Sequence, residues 1–424
     1  MSTTRSAAAQ SPPRCHVAVA GIAMQMFLGT VYAWSAFKKP LLEAHQAQGW
    51  TTTQVGLAFT LVILFIGLSA AFGGKLVDRA GSRKVATVGA ILFALGTASA
   101  GIANHIGSLW LLWIGYGVIG GTGNGLAYIT PIAVLVRWFP ECRGKITGLA
   151  VMGFGLGAAI MGFVVPLVLP VLGITTTFLA SGGLFLVGML IAAQRLDNPP
   201  ADRQPSPAPA LIKKMDAPQR DVRQALGMYQ FYVLWAVMFF NITAGLMLIS
   251  NLSPFAQQQL SIGPKQAGII LLLTALANGF GRVVWAALSD VIGRKVTFLL
   301  LVGSQIPLFL LLPHVTSFTL FSIICCYILL CYGGGFGSMP AFAADTFGTR
   351  CMGEIYGKVL LAWGVAGIAG PTIMDMVHKS TDSYATALIA AACILAIGFL
   401  AALSYRRPAA EPSAVPVTAA QAKG

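Results

Sequence analysis

The sequence has very little charge. Asp, Glu, Lys and Arg make up 9% of its 424 residues, whereas soluble proteins carry about 25%. Hydrophobic residues make up 56% of the chain. A surface this poor in charge would not keep a folded domain in solution. The composition therefore excludes a soluble enzyme or binding domain and favours a membrane protein.

Residues that serve chemical catalysis or metal binding are also scarce. The chain has 13 acidic residues, five histidines and seven cysteines, and no two cysteines have the spacing of a metal site. The glycine-rich stretches at 153–157 and 333–335 are not followed by the Lys-Ser/Thr of a phosphate-binding loop. We expect no cofactor, no metal and no enzymatic activity, and we interpret the cysteines as reduced packing residues.

What the sequence does have is long apolar runs. Runs of about 18 or more residues are typical of membrane-spanning helices. The runs lie at 16–38, 52–73, 85–103, 108–137, 144–168 and 171–193, and then at 229–255, 265–288, 296–313, 316–341, 356–377 and 384–405. The first run is long enough to span, so we predict no cleaved signal peptide. The pattern predicts an all-α membrane protein with twelve transmembrane helices.

The runs divide the chain into two groups of six. We predict a cytoplasmic N-terminus (1–15), an N-terminal six-helix bundle (16–193), a cytoplasmic linker (194–228), a C-terminal six-helix bundle (229–405) and a cytoplasmic tail (406–424). The linker holds a Pro-rich stretch at 198–209, which indicates a flexible connection. The Ala- and Pro-rich tail is expected to be disordered.

Lysine and arginine lie mostly on one side of this map. With both termini in the cytoplasm, 22 of the 27 fall on the cytoplasmic side and one, Arg282, falls within a span. The other four are Lys38, Lys39, Lys265 and Lys379. This bias predicts the orientation in a cell inner membrane. It also accounts for the net charge of +14 without a nucleic-acid partner.

The two halves repeat a charged loop. The loop at 74–84 contains Asp78, Arg79 and Arg83, and the loop at 288–295 contains Asp290 and Arg294. Asp78 and Asp290 are 212 positions apart, half the chain length. Six helices return the chain to its starting side, so the halves are predicted to be parallel repeats related by an axis along the membrane normal.

This loop resembles the signature loop of the major facilitator superfamily, with one extra residue at 74–84 and a looser match at 286–295. The resemblance implies a gating role for Asp78, Arg79, Arg83, Asp290 and Arg294. A carboxylate at this position can accept hydrogen bonds from the N–H groups of a facing helix end and pair with arginine, which would hold one state closed. The alternative is that these charges only orient the loop.

Further motifs resemble the oxalate/formate antiporter family and the related monocarboxylate transporters. They are Gly29-x-x-Tyr32-x-Trp34-Ser35-x-Phe37, Arg137-Trp138-Phe139-Pro140-x-x-Arg143-Gly144, Asn278-Gly279-x-x-Arg282 and Asp345-x-Phe347-Gly348. The resemblance covers nearly the whole membrane domain. It implies a carrier of small carboxylate anions.

Arg282 is the strongest site candidate. A cation near the middle of a bilayer costs about 2.5–3.5 kcal/mol on insertion scales, so it needs a partner or a watery cavity. No acidic residue lies inside a span at comparable depth, because Asp375 falls near the outer end of its helix. A guanidinium binds a carboxylate through two parallel N–H donors. We predict an anion anchor, and the alternative is an internal salt bridge.

Other polar residues in the spans are candidate contacts of the anion. Asn278 lies one turn before Arg282 on the same face, and Asn124 and Tyr128 form a second i, i+4 pair. Tyr332 and Tyr32 lie within the tenth and first helices, where a hydroxyl seeks a partner. Each of these could instead make a helix–helix hydrogen bond or pack. Monocarboxylate carriers that resemble this site have Asp where Asn278 stands, which puts their proton coupling in doubt here.

Trp363 departs from the resemblance. Oxalate-exchanging relatives have a second membrane cation, a lysine, at the position that aligns with Trp363. A dianion favours two cations, so the loss of one shifts the expectation to a monoanion, with the ring covering its apolar end. Packing is the alternative. Near the outer end of the same helix, Asp375 and His378 are candidates for handling a proton, or they belong to a solvated edge.

These observations predict a secondary active transporter of monocarboxylates such as lactate, pyruvate or formate, which works by alternating access. Proton-coupled symport is the first expectation, and an oxalate/formate-type antiporter is the alternative. A membrane anion sensor that does not transport is the alternative of another class. The expected partners are the anion, a proton and membrane lipid, and the chain is expected to be monomeric.

Overall fold

The computed structural model describes residues 14–199 and 219–408. In this part of the chain all regular structure is helical. Eleven continuous segments are long and apolar enough to span a membrane. They are α1 (Arg14–Ala33), α2 (Thr52–Ala80), α3 (Ser82–Ile106), α4 (Leu109–Trp138), Pro140–Ala193, α7 (Tyr229–Leu260), α8 (Lys265–Ile292), α9 (Arg294–His314), α10 (Phe318–Phe347), α11 (Met352–Thr381) and α12 (Tyr384–Ser404). The predicted tail disorder and the Pro-rich centre of the linker lie outside the described residues.

The fifth of these segments contains two spans. Its helix, Arg143–Ala193, has 51 residues, about 75 Å at 1.5 Å per residue and far more than the thickness of a bilayer core. Gly173 interrupts it with φ 74° and ψ 168°, a conformation that strongly favours glycine. We therefore name residues 143–172 α5 and residues 174–193 α6. The prediction of an all-α fold with twelve spans is confirmed.

The internal repeat is visible in the backbone. The turn from α2 to α3 passes through Gly81 (φ 95°), and the turn from α8 to α9 passes through Gly293 (φ 90°). These two glycines are 212 positions apart, like Asp78 and Asp290. The tight turn places each aspartate beside the end of its helix, where it faces the other half of the molecule.

The halves pack through helix pairs α2/α11 and α5/α8, and glycine permits their close approach. A Cβ atom on Gly74 of α2 would lie 1.8 Å from the carbonyl oxygen of Gly353 in α11. A Cβ atom on Gly148 of α5 would lie 2.4 Å from the carbonyl oxygen of Arg282 in α8. Any larger side chain at these two positions would push the halves apart.

The described end of the linker is held against the C-terminal half. The side-chain carbonyl of Gln219 accepts hydrogen bonds from the backbone N–H groups of Thr349 (3.1 Å) and Arg350 (3.0 Å), between α10 and α11. The Arg220 N–H donates to the carbonyl of Phe347 at 3.0 Å. Asp221 then caps a short helix, Val222–Leu226, through a reciprocal capping box.

Candidate functional site

Arg282 lies near the middle of α8 and between the two halves. It is ten residues from Ile292, about 15 Å along the helix, and only 2% exposed. Glycines on α10 bring that helix against α8 at this level: a Cβ atom on Gly337 would lie 2.0 Å from the Arg282 carbonyl. The close packing of α5 and α10 on α8 directs the arginine side chain into the centre of the bundle.

The chain itself provides the neighbours of the guanidinium. Nη1 donates a hydrogen bond to the backbone carbonyl of Val151 at 3.0 Å. The Cζ atom lies 5.5 Å from the ring centroid of Phe154 and 5.4 Å from that of Phe336. Nε is buried without a hydrogen-bond partner. Within the described ranges, no ion pair involves Arg282.

Aromatic rings from both halves enclose this group. The Trp363 ring lies 5.2 Å from Phe336, 5.5 Å from Tyr128 and 6.0 Å from Phe154, between centroids. Tyr32 packs on Phe154 at 5.3 Å and on Trp363 at 6.4 Å. We call Arg282 and these five rings the central site. Tyr32, Tyr128 and Trp363, which are predicted to contact the anion, thus lie around Arg282.

Several buried polar atoms around Arg282 lie beside one another. The Tyr32 hydroxyl lies next to Tyr332 and Trp363, and the Tyr128 hydroxyl lies next to Tyr356. All four hydroxyls lie close enough to Arg282 to interact with its charge. Buried polar atoms are rarely left unsatisfied in proteins. A buried cluster of hydroxyls beside a cation is therefore chemically suited to a polar ligand.

The two asparagines contribute differently. Asn124 is fully buried, and its amide donates to the carbonyl of Leu28 at 3.0 Å, so its donor serves a helix–helix bond. Its Oδ1 is unpartnered. Asn278 is partly buried, and its Oδ1 is also unpartnered and lies next to the Gly333 backbone.

The structure does not bring Asp375 and His378 to the central site. Asp375 is exposed and accepts a hydrogen bond from Asn251 at 3.2 Å. The His378 ring stacks on Tyr384 at 3.9 Å. Asp375 is twelve residues beyond Trp363 on α11, about 18 Å along the helix. Any proton that these residues handle would act at a distance from Arg282.

At one end of the bundle, Asp78 joins the halves. Its Oδ1 accepts from Arg137 at 2.6 Å and its Oδ2 accepts from the Glu354 N–H, in the first turn of α11, at 2.9 Å. Arg137 also donates to the carbonyls of Thr349 (3.1 Å) and Arg350 (3.2 Å) in the other half. The carboxylate thus sits at a helix N-terminus, where negative charge is favoured.

At the same end, Asp290 makes the equivalent contacts from the other half. It accepts from the N–H groups of Gly144 (3.2 Å) and Lys145 (2.9 Å), in the first turn of α5. Arg294 bridges Asp290 at 2.6 Å and Asp345 at 2.8 Å, and Asp345 pairs across the halves with Arg143 at 2.8 Å. We call Asp78, Arg137, Arg143, Asp290, Arg294 and Asp345, with these contacts, the latch.

Two of the predicted gating residues lie outside the latch. Arg79 is exposed, and Arg83 pairs with Asp197, just after the end of α6. The gating prediction named neither Arg137, Arg143 nor Asp345, although all three stand in the motifs quoted above. The site prediction missed Phe154, Phe336 and Tyr356. The one sequence signal for the two phenylalanines is that each is a large ring between glycines, in Gly153-Phe154-Gly155 and Gly335-Phe336-Gly337.

A buried cation between two six-helix halves, with one end closed by carboxylates at helix N-termini, defines a multi-pass membrane transporter. The chain belongs to the Major Facilitator Superfamily, whose family model matches residues 17–371. Members of this superfamily are transporters and not enzymes. The resemblance noted from the loop motif is thereby confirmed.

Curated relatives and solved structures agree with this assignment. The chain is 26% identical to the oxalate:formate antiporter of Oxalobacter formigenes over 84% of this chain and 82% of that protein. It is 21% identical to monocarboxylate transporter 14 of Mus musculus, over 91% and 86%. The fucose:proton symporter of E. coli shares the fold, with a TM-score of 0.69 and 16% identity over 92% of this chain and 98% of that chain.

Proposed function

We propose that this protein transports small monocarboxylates, of the lactate, pyruvate and formate class, by alternating access, with Arg282 as the carboxylate anchor. It resides in the cell inner membrane with both termini in the cytoplasm. The distribution of Lys and Arg along the chain supports this orientation. It places the latch at the cytoplasmic end.

The observation that carries the proposal is the Arg282 guanidinium. It is buried, unpaired with acid within the described ranges, and has an unpartnered Nε donor among tyrosine hydroxyls. A carboxylate would satisfy those donors with charge-assisted hydrogen bonds. Relatives named as an oxalate:formate antiporter and a monocarboxylate transporter are consistent with an anion of this chemistry.

The rings around Arg282 favour a monoanion over a dianion. Trp363 offers one N–H donor and a large apolar face, and no second cation lies among the five rings of the central site. One carboxylate would bind Arg282, and the Trp363 ring would cover the methyl or hydrogen end. Asn278, Asn124, Tyr128, Tyr332 and Tyr32 complete the proposed binding residues.

The latch supports alternating access. Asp78 and Asp290 hold the two halves together at one end, and release of these contacts would open the central site to that side. Asp78, Asp290 and Arg294 retain the gating role proposed for them. Proton symport would balance the charge of the monoanion, and Asp375 and His378 stay candidates for that proton.

Uptake into proteoliposomes tests the proposal. We expect labelled pyruvate, lactate and formate to accumulate, more so with an inward proton gradient. Arg282→Gln should weaken anion binding about 100-fold, because charged hydrogen bonds contribute about 1.5–3 kcal/mol each. Arg282→Lys should fail to restore it, since an ammonium cannot bind bidentately. Lys265→Gln, at an exposed lysine in the first turn of α8, is the control.

Three results would contradict the proposal. Wild-type affinity in the folded Arg282→Gln variant would remove the anchor. A strong preference for oxalate over pyruvate would favour the oxalate/formate-type antiporter. A thermal shift with each anion but no uptake of any would favour a sensor.

A further inference from the structure

Two Gly-Phe-Gly triplets provide the rings that face Arg282. Phe154 stands in α5 of the N-terminal half, and Phe336 stands in α10 of the C-terminal half. Both rings are buried, and they lie at nearly equal distances, 5.5 and 5.4 Å, from the guanidinium carbon. An arginine over an aromatic face within about 6 Å is stabilised by the ring quadrupole.

The two rings differ in which half they belong to. Phe336 and Arg282 are both in the C-terminal half, so their contact persists when the halves move as rigid bodies. Phe154 and the Val151 carbonyl belong to the other half. They reach the guanidinium only when α5 lies against α8, as it does where a Cβ atom on Gly155 would be 3.0 Å from Gly279. Closure therefore adds a ring and a carbonyl to Arg282.

Closure also removes water from the guanidinium. A buried charge without compensation is strongly unfavourable. A carrier whose cation depends wholly on its substrate for compensation cannot close without substrate, and it then only exchanges one anion for another. Here the chain provides part of that compensation from across the interface, through one carbonyl and one ring, and those contacts are available whether or not an anion is bound.

We propose that Phe154, together with the Val151 carbonyl, acts as an internal counter-group to Arg282 that lets the unloaded carrier close and return. This inference rests on the proposed anion transport and assigns its mode: net transport, not obligatory exchange. Phe154 is a positioning residue in this scheme, since it acts on the arginine and not on the substrate.

The experiment compares two fluxes from the same proteoliposomes. Vesicles loaded with labelled pyruvate are diluted into medium with or without unlabelled pyruvate, at equal pH and with the membrane potential clamped by potassium and valinomycin. Exchange needs only the loaded carrier to reorient, whereas net efflux also needs the unloaded carrier to return. For wild type we expect the rate of net efflux to be within about threefold of the rate of exchange. The two rates would then differ by less than tenfold, so their barriers would differ by less than about 1.4 kcal/mol.

Phe154→Leu should slow net efflux about tenfold relative to exchange, because the ring contact is lost only from the closed state. Phe154→Met, with a longer unbranched side chain and also without a ring, should do the same and guards against a folding defect in the first variant. Phe336→Leu is the matched control: it removes an equally close ring from the same half as Arg282, so the ratio of the two fluxes should stay near that of wild type.

The outcomes separate the two proposals. Exchange without net efflux in wild type would overturn the inference and leave the anion transport standing. Equal flux ratios in wild type and both folded Phe154 variants would overturn the role of Phe154. The absence of both fluxes for pyruvate, lactate, formate and oxalate alike would overturn the proposed function and this inference with it.

Discussion

At the scale of single residues, the proposed preference for a monoanion depends on Trp363. Its ring touches Tyr32, Tyr128, Phe154 and Phe336, so a substitution at this position acts directly on the space beside Arg282. A lysine here would place a second cation within the same ring cluster. With one cation the site should prefer a monoanion, and with two cations it should prefer a dianion.

Trp363→Lys should therefore raise the affinity for oxalate relative to pyruvate, by about tenfold if the new ammonium makes one charged hydrogen bond. Competition of each anion against labelled pyruvate binding measures the ratio. Trp363→Met, which removes the ring without adding charge, should leave the ratio unchanged. An unaltered ratio in a folded Trp363→Lys variant would mean that the position does not contact the anion.

Sequence reasoning found the residues that are conspicuous in an apolar helix and missed those that are ordinary there. Arg282 is visible because a charge in a span needs an explanation. Phe154 and Phe336 have only their flanking glycines as a signal, since phenylalanine is common in membrane helices and its contact with the arginine is visible only in the structure. The gating prediction named Arg79, which follows Asp78 in the sequence, but Arg137 of α4 is the arginine that pairs with Asp78. That pairing depends on how α2 and α4 pack, which the repeat pattern does not contain.

At the scale of helices and loops, the latch repeats in position but not in chemistry. Asp78 and Asp290 each cap a helix of the opposite half. The residues beside them differ in charge: Arg137 lies at the end of α4, whereas Asp345 lies near the end of α10. The Asp290 side of the latch therefore has a direct ion pair across the halves, from Arg143 to Asp345 at 2.8 Å.

The reactivity of the Cys351 thiol can be used to monitor the Asp78 side of the latch. It lies between α10 and α11, where burial and then the Asp78 carboxylate raise the pKa of its thiol above the ordinary value. A raised pKa keeps the thiol protonated at neutral pH, so alkylation should be slow and should accelerate as pH rises. In a variant whose other six cysteines are serine, Asp78→Asn should lower the pKa of the Cys351 thiol and so speed its alkylation at neutral pH.

The rate of maleimide labelling of the purified protein measures this effect. Arg79→Gln is the matched control, one residue further along on an exposed side chain, and should leave the rate unchanged. Equal acceleration by both variants would show that a general loosening of the loop, and not the loss of the latch, exposes the thiol.

At the scale of the whole molecule, the backbones of the two halves approach each other most closely at glycines. The twelve spans and the parallel repeat follow from hydropathy and loop charge, because a helix in lipid must satisfy its own backbone. The break between α5 and α6 at Gly173 lies two residues inside the run predicted at 171–193. How closely the halves approach is beyond such patterns, since it depends on which glycines face each other.

Gly74 tests whether the close approach of α2 and α11 belongs to the transport cycle. In Gly74→Ala the added Cβ would lie 1.8 Å from the Gly353 carbonyl, which prevents the halves from meeting at the latch end. We expect uptake to fall about tenfold or more, because overpacking costs about 1–3 kcal/mol. Each half should still fold, which thermal unfolding in detergent would verify.

Gly162→Ala is the control for that variant, because a Cβ at Gly162 would meet nothing within 4 Å. Normal uptake by the folded Gly74→Ala protein would mean that α2 and α11 need not meet so closely during transport.

The way the linker joins the second half has a mechanical consequence. Gln219 is fastened to the peptides of Thr349 and Arg350, and Arg137 of the first half grips the carbonyls of the same two residues. A force that is transmitted along the linker therefore acts on Thr349 and Arg350, where the two halves meet, before it reaches α7. A partner that binds the linker would in this way change the equilibrium between the closed and open states of the latch end.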